Sequence, residues 1–125
     1  MNPEVSIIVT SYKNPQILDL CLNSLKENVN NIEYEIIVVD GETGEKTEDL
    51  MREKYPEVMF LSNNKNVGFG ALVNQGIDIS KGSFYFIMNA DIVIKSNVIE
   101  EIIFYIKHKF LEEFTSISLL KVNEK

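Results

Sequence analysis

The sequence predicts an α/β fold, a mostly parallel β-sheet flanked by helices, and three observations carry that prediction. Short apolar runs alternate with amphipathic helical patterns along nearly the whole chain, which is the order of a strand-helix-strand succession. The runs are continuously apolar rather than alternating, as in strands covered on both faces. The length of 125 residues suits one domain, since domains most often hold about 100–150 residues.

Each element has its own signal. Residues 5–10, VSIIVT, are β-branched and apolar and read as a buried strand. Asn14-Pro15 supplies an N-cap with proline at the first helical position. Ile17, Leu18, Cys21, Leu22 and Leu25 follow at helical spacing, so residues 15–28 form a helix with that stripe inward. Residues 34–39, YEIIVV, are a second buried strand ending at Asp40. After the polar loop GETGEK, Thr47 caps a short helix to about Tyr55, stopped by Pro56. VMFL, 58–61, is a third strand, and NNKNVG is a loop. Residues 69–80 form a helix with Leu72, Val73 and Ile77 inward, ended by Gly82. SFYFIM, 83–88, is the fourth strand. Ser96 caps a last helix, with Glu100 and Glu101 in its first turn and Lys107, His108 and Lys109 in its last, both suited to the helix dipole. SISLLKV, 116–122, reads as one more strand.

Composition narrows the function. At 45% hydrophobic and 25% charged the chain is globular. A net charge of -7 argues against nucleic acid as a partner, because phosphate backbones need a basic patch. It leaves room for a small anionic ligand held locally by a metal ion or a helix N-terminus. The single cysteine, Cys21, forms no internal disulfide and falls on an apolar helix face. The N-terminus MNPEVSIIVT lacks the pattern of a signal peptide, and no apolar run approaches the roughly 18 residues of a membrane span. These absences point to the cytoplasm, with the membrane surface open if an anchor lies elsewhere in a longer chain.

Ligands of open α/β sheets bind outside the carboxyl ends of the strands. Here those ends are polar: Thr10, Ser11 and Tyr12 after the first, Asp40 after the second, Asn63 to Gly70 after the third, Asn89 to Asp91 after the fourth. A dinucleotide site would put its glycine fingerprint after the first strand, but TSYKNP stands there; the one G-x-G is Gly68-Phe69-Gly70. No P-loop occurs, and the single His108 supports no catalytic triad. What remains is FIMNADI, an apolar strand broken by a carboxylate. A carboxylate beside a core is costly unless paired, solvated or metal-bound. Either Asp91 turns the chain or a cation sits there. Mg²⁺ or Mn²⁺ would suit, since each takes one or two carboxylates plus substrate phosphates, with Asn89 lending an amide oxygen or bonding the loop.

In these residues the chain resembles the inverting glycosyltransferase family 2, with its GT-A, Rossmann-like nucleotide-binding fold. VSIIVTSYKNPQILDLCLNSL is similar to the family's opening strand, loop and helix, and YEIIVVD to its second strand with a base-reading aspartate. NNKNVGFGALVNQGIDISKGSFYFIMNADI resembles the N-x-G-F-G-x-A-x-N-x-G stretch and metal motif of the rhamnosyltransferase-like branch. The resemblance implies a single domain over 1–125 that binds a nucleotide-diphosphate sugar with Mg²⁺ or Mn²⁺ for transfer to a glycan or lipid-linked acceptor, as in polysaccharide biosynthesis. It implies that Thr10 and Tyr12 lie near the nucleotide and that Asp40 hydrogen-bonds the base. Asn66 and Gly68 would shape the nucleotide loop, Asn74 would face the donor pocket, Asn89 would join the binding set, and Asp91 would hold the metal.

Plain structural readings stand beside these. Asp40 ends a strand, as aspartate often does; Gly68 and Gly70 permit tight backbone packing; Asn74 is an exposed helix polar residue. The sequence departs from the family in Thr10-Ser11-Tyr12-Lys13 for Pro-Thr-Tyr-Asn, in DGETGEKTED for an Asp-Asn-Gly-Ser start, and in Ala90 for proline. The family's acceptor-binding half and its catalytic base lie after about this length, so the implied fold is truncated. Sugar transfer, hexosyl or rhamnosyl, would need completion by a longer chain or a partner. The alternative is a non-catalytic homologue that binds a nucleotide sugar or a protein, self-associating through an exposed sheet edge.

Overall fold

The computed structural model describes residues 2–116, with side chains to residue 109. The expected strand over 116–122 lies, apart from Ser116, outside the described residues. The elements run β1 (Val5–Ser11), α1 (Pro15–Asn28), β2 (Tyr34–Asp40), α2 (Glu45–Lys54), β3 (Met59–Leu61), α3 (Phe69–Ile79), β4 (Phe84–Asn89) and α4 (Val98–Ser116). The strands lie in the order β3-β2-β1-β4, and every pairing is parallel. This is the expected α/β class.

Two apolar clusters hold the sheet. On one face Val5, Ile7, Val9, Ile36 and Val38 meet Leu18, Cys21, Leu22 and Leu25 of α1, Met51 of α2, and Ile99 and Ile103 of α4. On the other, Ile8, Ile37 and Val39 meet Leu72, Ile77 and Ile79 of α3 alone. Strands β1 and β2 are therefore covered on both sides, which is why their sequences are apolar throughout. Strand β4 is not: Ile87 is 42% exposed, and its outer edge has no partner strand among the described residues.

Local signals set most helix ends. Asn14 caps α1, its Oδ1 accepting from the Ile17 amide at 3.1 Å, with Pro15 first in the helix. Four expectations need correction. Thr47 is buried inside α2, whose N-cap is Gly44 with no side-chain cap; the acidic Glu45 and Glu48 of the first turn complement the dipole instead. Helix α3 ends at Ile79 because Ser80 turns extended. Gly82 serves packing: a Cβ there would stand 2.6 Å from the Ser6 amide nitrogen. Helix α4 begins at Val98 rather than after Ser96 and runs to Ser116, so Lys107, His108 and Lys109 are mid-helix, with Lys107 paired to Glu4 at 2.6 Å. Ile17, expected inward, is 39% exposed.

Candidate functional site

The parallel register brings the polar strand ends level. Thr10 stands opposite Asn89, and Ser11 opposite Asp40. The Thr10 hydroxyl donates to Asn89 Oδ1 at 2.8 Å. The Ser11 hydroxyl donates to Asp40 Oδ1 at 2.5 Å. Asp40 is fully buried, and its Oδ2 has no hydrogen-bond partner among the described residues. An unpaired buried carboxylate oxygen is costly, so the position of Asp40 needs a reason, as does that of Glu100, whose Oε1 is likewise unpaired.

Above these ends lies an open hollow of about 370 Å³. Thr10, Tyr12, Asn66, Asn89 and Asp91 line it, and so do Ile17, Phe69 and Leu72. Asp40 does not line it, but its hydrogen-bond partner Ser11 does. Tyr12 is half exposed and lies against Gly41: a Cβ on Gly41 would come within 3.1 Å of the Tyr12 ring. Gly68 is the N-cap of α3 at φ 91°, a conformation L side chains rarely adopt. Its amide donates to Asn66 Oδ1 at 2.9 Å. Gly70 has open space around it, so tight packing does not explain it. Asn74 is exposed on α3 and is not part of the hollow's lining.

Asp91 sits in a turn closed by the Ile92 amide donating to Asn89 O at 3.2 Å. It is exposed, so solvent relieves the cost expected of a carboxylate beside the core. The chain after it is pinned to α1: the Ile94 amide donates to Ser24 Oγ at 3.0 Å, and Asn28 Nδ2 donates to Ile94 O at 2.8 Å. Burial, and secondly the Asp91 charge, push the Cys21 thiol up to about 11. No group of three or more His, Cys, Asp or Glu able to hold a metal occurs among the described residues. The hollow thus offers one carboxylate, Asp91. That donor set fits a hard divalent cation completed by phosphate oxygens and water, not a closed protein cage.

Sequence reasoning counted Asn63 only as part of a polar strand end and left Gln75 unremarked. Asn63 Nδ2 donates to Asp40 O at 2.9 Å and to Gln75 Oε1 at 3.0 Å; Gln75 Nε2 returns a bond to Asn63 Oδ1 at 3.0 Å. The Thr43 amide donates to Asn63 O at 2.9 Å. The Asn-Gln spacing of 12 residues across a loop and a helix carries no periodic signal. A second hollow, about 490 Å³, opens at the other end of the strands beside α4, lined in part by Ile32, Ile103 and Phe104. Glu100 Oε2 accepts there from the Asn30 and Asn31 amides.

The comparisons with known proteins agree with this geometry. Residues 6–111 match the family model described as Glycosyl transferase family 2. An uncharacterized glycosyltransferase of Methanocaldococcus jannaschii is 27% identical over 128 residues, spanning 94% of this chain and 40% of that protein. Staphylococcus aureus TarS 1-349 in complex with UDP superposes with a TM-score of 0.73 at 20% identity, over 84% of this chain and 32% of that one. A mannosyltransferase from Pyrobaculum calidifontis in complex with GDP-Man and Mn²⁺ gives a TM-score of 0.66 at 20% identity, over 78% of this chain and 30% of that one. The chain spans less than half the length of the curated relatives it matches. By its sheet order, its aligned polar strand ends and the family match over residues 6–111, this chain belongs to glycosyl transferase family 2.

Proposed function

We propose that residues 1–125 form the donor-binding part of a nucleotide-sugar glycosyltransferase. The observation that carries this is Asp40: a fully buried carboxylate with one oxygen unpaired, beneath a hollow at the carboxyl ends of parallel strands. A ring N–H of a nucleobase would satisfy that acceptor after a small movement of Ser11. Tyr12 offers its exposed ring as the face on which the base lies. Thr10 and Asn89 order the floor through their mutual hydrogen bond. Asn66 and Gly68 shape the loop that opens α3, and the N-terminus of that helix favours the negative diphosphate. Asn74 would join the donor only if the ligand extends along α3.

Asp91 is the residue that would hold Mg²⁺ or Mn²⁺ against the diphosphate. Bound there, the ion would neutralise charge on the departing nucleoside diphosphate. Inverting transfer also needs a carboxylate to take the acceptor hydroxyl's proton, and no residue of the hollow is placed for that. The acceptor half, for a glycan or lipid-linked hydroxyl, is then supplied by a longer chain or a partner. The edge of β4, unpaired among the described residues, and the exposed Ile87 are the surface such a half, or a second copy, would cover. The stretch NVGFGALVN from Asn66, close to that pattern but with its alanine at 71 and Leu72 in the alanine's place, supports a rhamnosyltransferase-like donor specificity.

Calorimetric titration of UDP, dTDP and GDP, each with and without Mn²⁺, tests the reading on wild type and Asp91→Ala. One nucleotide should bind in a metal-dependent way, and Asp91→Ala should weaken it at least tenfold. No binding by the folded wild-type chain overturns the donor site; binding that ignores Mn²⁺ and Asp91 overturns the metal assignment alone.

A further inference from the structure

The resemblance assigns no role to Asn63 or Gln75, yet the pair joins three segments of the site. Asn63 stands in the loop after β3, Gln75 on α3, and the carbonyl they clamp belongs to Asp40 at the end of β2. The two amides bond reciprocally at 3.0 Å in each direction. The spare hydrogen of Asn63 Nδ2 takes the Asp40 carbonyl at 2.9 Å. The backbone of Asn63 closes on Thr43 as well, its carbonyl accepting from the Thr43 amide at 2.9 Å and its amide donating to Thr43 Oγ1 at 3.3 Å.

An amide pair of this kind fixes both orientation and distance, because each side chain presents one donor and one acceptor in a plane. The fixed carbonyl belongs to the residue whose side chain is buried with an unpaired oxygen. A carboxylate that must meet one ring N–H tolerates little displacement, since hydrogen bonds weaken steeply once bent or stretched. We infer that Asn63 and Gln75 are positioning residues: they hold Asp40 in register for the base and so set nucleobase affinity, while leaving the diphosphate end untouched. This rests on the donor-site reading above. The diphosphate end depends on Asp91 and the start of α3, and the hydrogen bonds of the pair run instead to Asp40 and Thr43.

The test uses the full chain and compares wild type with Gln75→Leu and Gln75→Glu. Leucine is close in size and removes both mutual hydrogen bonds. Glutamate keeps an acceptor for Asn63 Nδ2 but replaces the donor to Asn63 Oδ1 by a second acceptor, so it breaks the pair from the other side. The probes are UDP, dTDP and GDP with Mn²⁺, and inorganic pyrophosphate with Mn²⁺; a thermal melt checks folding. For the nucleotide that wild type prefers, Gln75→Leu should weaken binding about tenfold, and Gln75→Glu at least as much. Pyrophosphate affinity should stay within twofold for Gln75→Leu. Equal nucleotide affinity in wild type and Gln75→Leu, or a parallel loss for pyrophosphate, overturns the positioning role and leaves the donor site standing. Failure of the folded wild type to bind any of the three nucleotides overturns the donor-site reading and the positioning role together.

Discussion

Asp40 and Asp91 show how differently two carboxylates at strand ends behave. Both follow apolar runs, and from sequence either could have been the costly one. The structure turns Asp91 out to solvent at a turn and buries Asp40 completely. The difference was not legible because burial at a strand's last residue depends on which neighbouring strand runs alongside. Asp40 lies inside the sheet beside β1, with Ser11 as its partner, whereas Asp91 lies past the end of an edge strand. A site that keeps a buried, half-paired charge gives up stability for function. Asp40→Asn keeps an oxygen for the Ser11 hydroxyl and removes the charge. It should raise stability by about 1 kcal/mol and weaken nucleotide binding at least tenfold. Denaturant unfolding and titration on the same protein check both; a destabilised Asp40→Asn with intact binding would assign Asp40 to the fold alone.

At the scale of elements, strands and helices were largely legible and their ends less so. The apolar runs placed β1, β2, β3 and β4 within a residue or so, because burial on both faces writes itself into consecutive positions. Asn14-Pro15 marked α1 because its capping is local. Thr47 misled because a residue suited to capping can equally be buried on a helix face, and only tertiary contact decides. Glycines were least legible, since a bare Gly does not say whether conformation or crowding requires it. Helix α3 carries both extremes. A Cβ on Gly76 would stand 2.7 Å from Ile8 Cγ2 and 3.3 Å from Val39 Cγ2, whereas one on Gly70 meets nothing within 4 Å. Replacing helical glycine by alanine gains up to about 1 kcal/mol of propensity, but overpacking a core costs about 1–3 kcal/mol. Gly76→Ala should therefore lower stability by about 1 kcal/mol, and Gly70→Ala should leave it level or raise it. Thermal melts of the two variants side by side decide; a stable Gly76→Ala would mean that α3 can lift off the sheet at little cost.

Over the whole molecule, charge sets two opposing trends with pH. The net charge of -7 repels itself, and protonating carboxylates relieves that repulsion. Against this stands the tie between α1 and α2. Burial alone would raise the Asp19 carboxyl, but bonds from Lys54 Nζ at 2.8 Å and the Tyr55 hydroxyl at 2.5 Å outweigh it and hold Asp19 below the usual carboxylate range. The same contact, after burial, pushes the Tyr55 hydroxyl up, so Tyr55 stays a donor throughout. A carboxylate lowered in the folded state contributes stability that is fully present above its unfolded value, about 3.9. That contribution fades as pH falls through the lower folded value. The side chain is one-third exposed, so solvent screening keeps it small. Asp19→Asn isolates it from the bulk charge. The stability gap between wild type and Asp19→Asn should be constant from pH 7 to about 5 and narrow below about 4, where the unfolded carboxylate takes up its proton. Urea unfolding at several pH values measures that gap. A gap that holds steady down to pH 2 would show that the α1–α2 tie rests on packing of the buried Tyr55 ring rather than on the Asp19 charge.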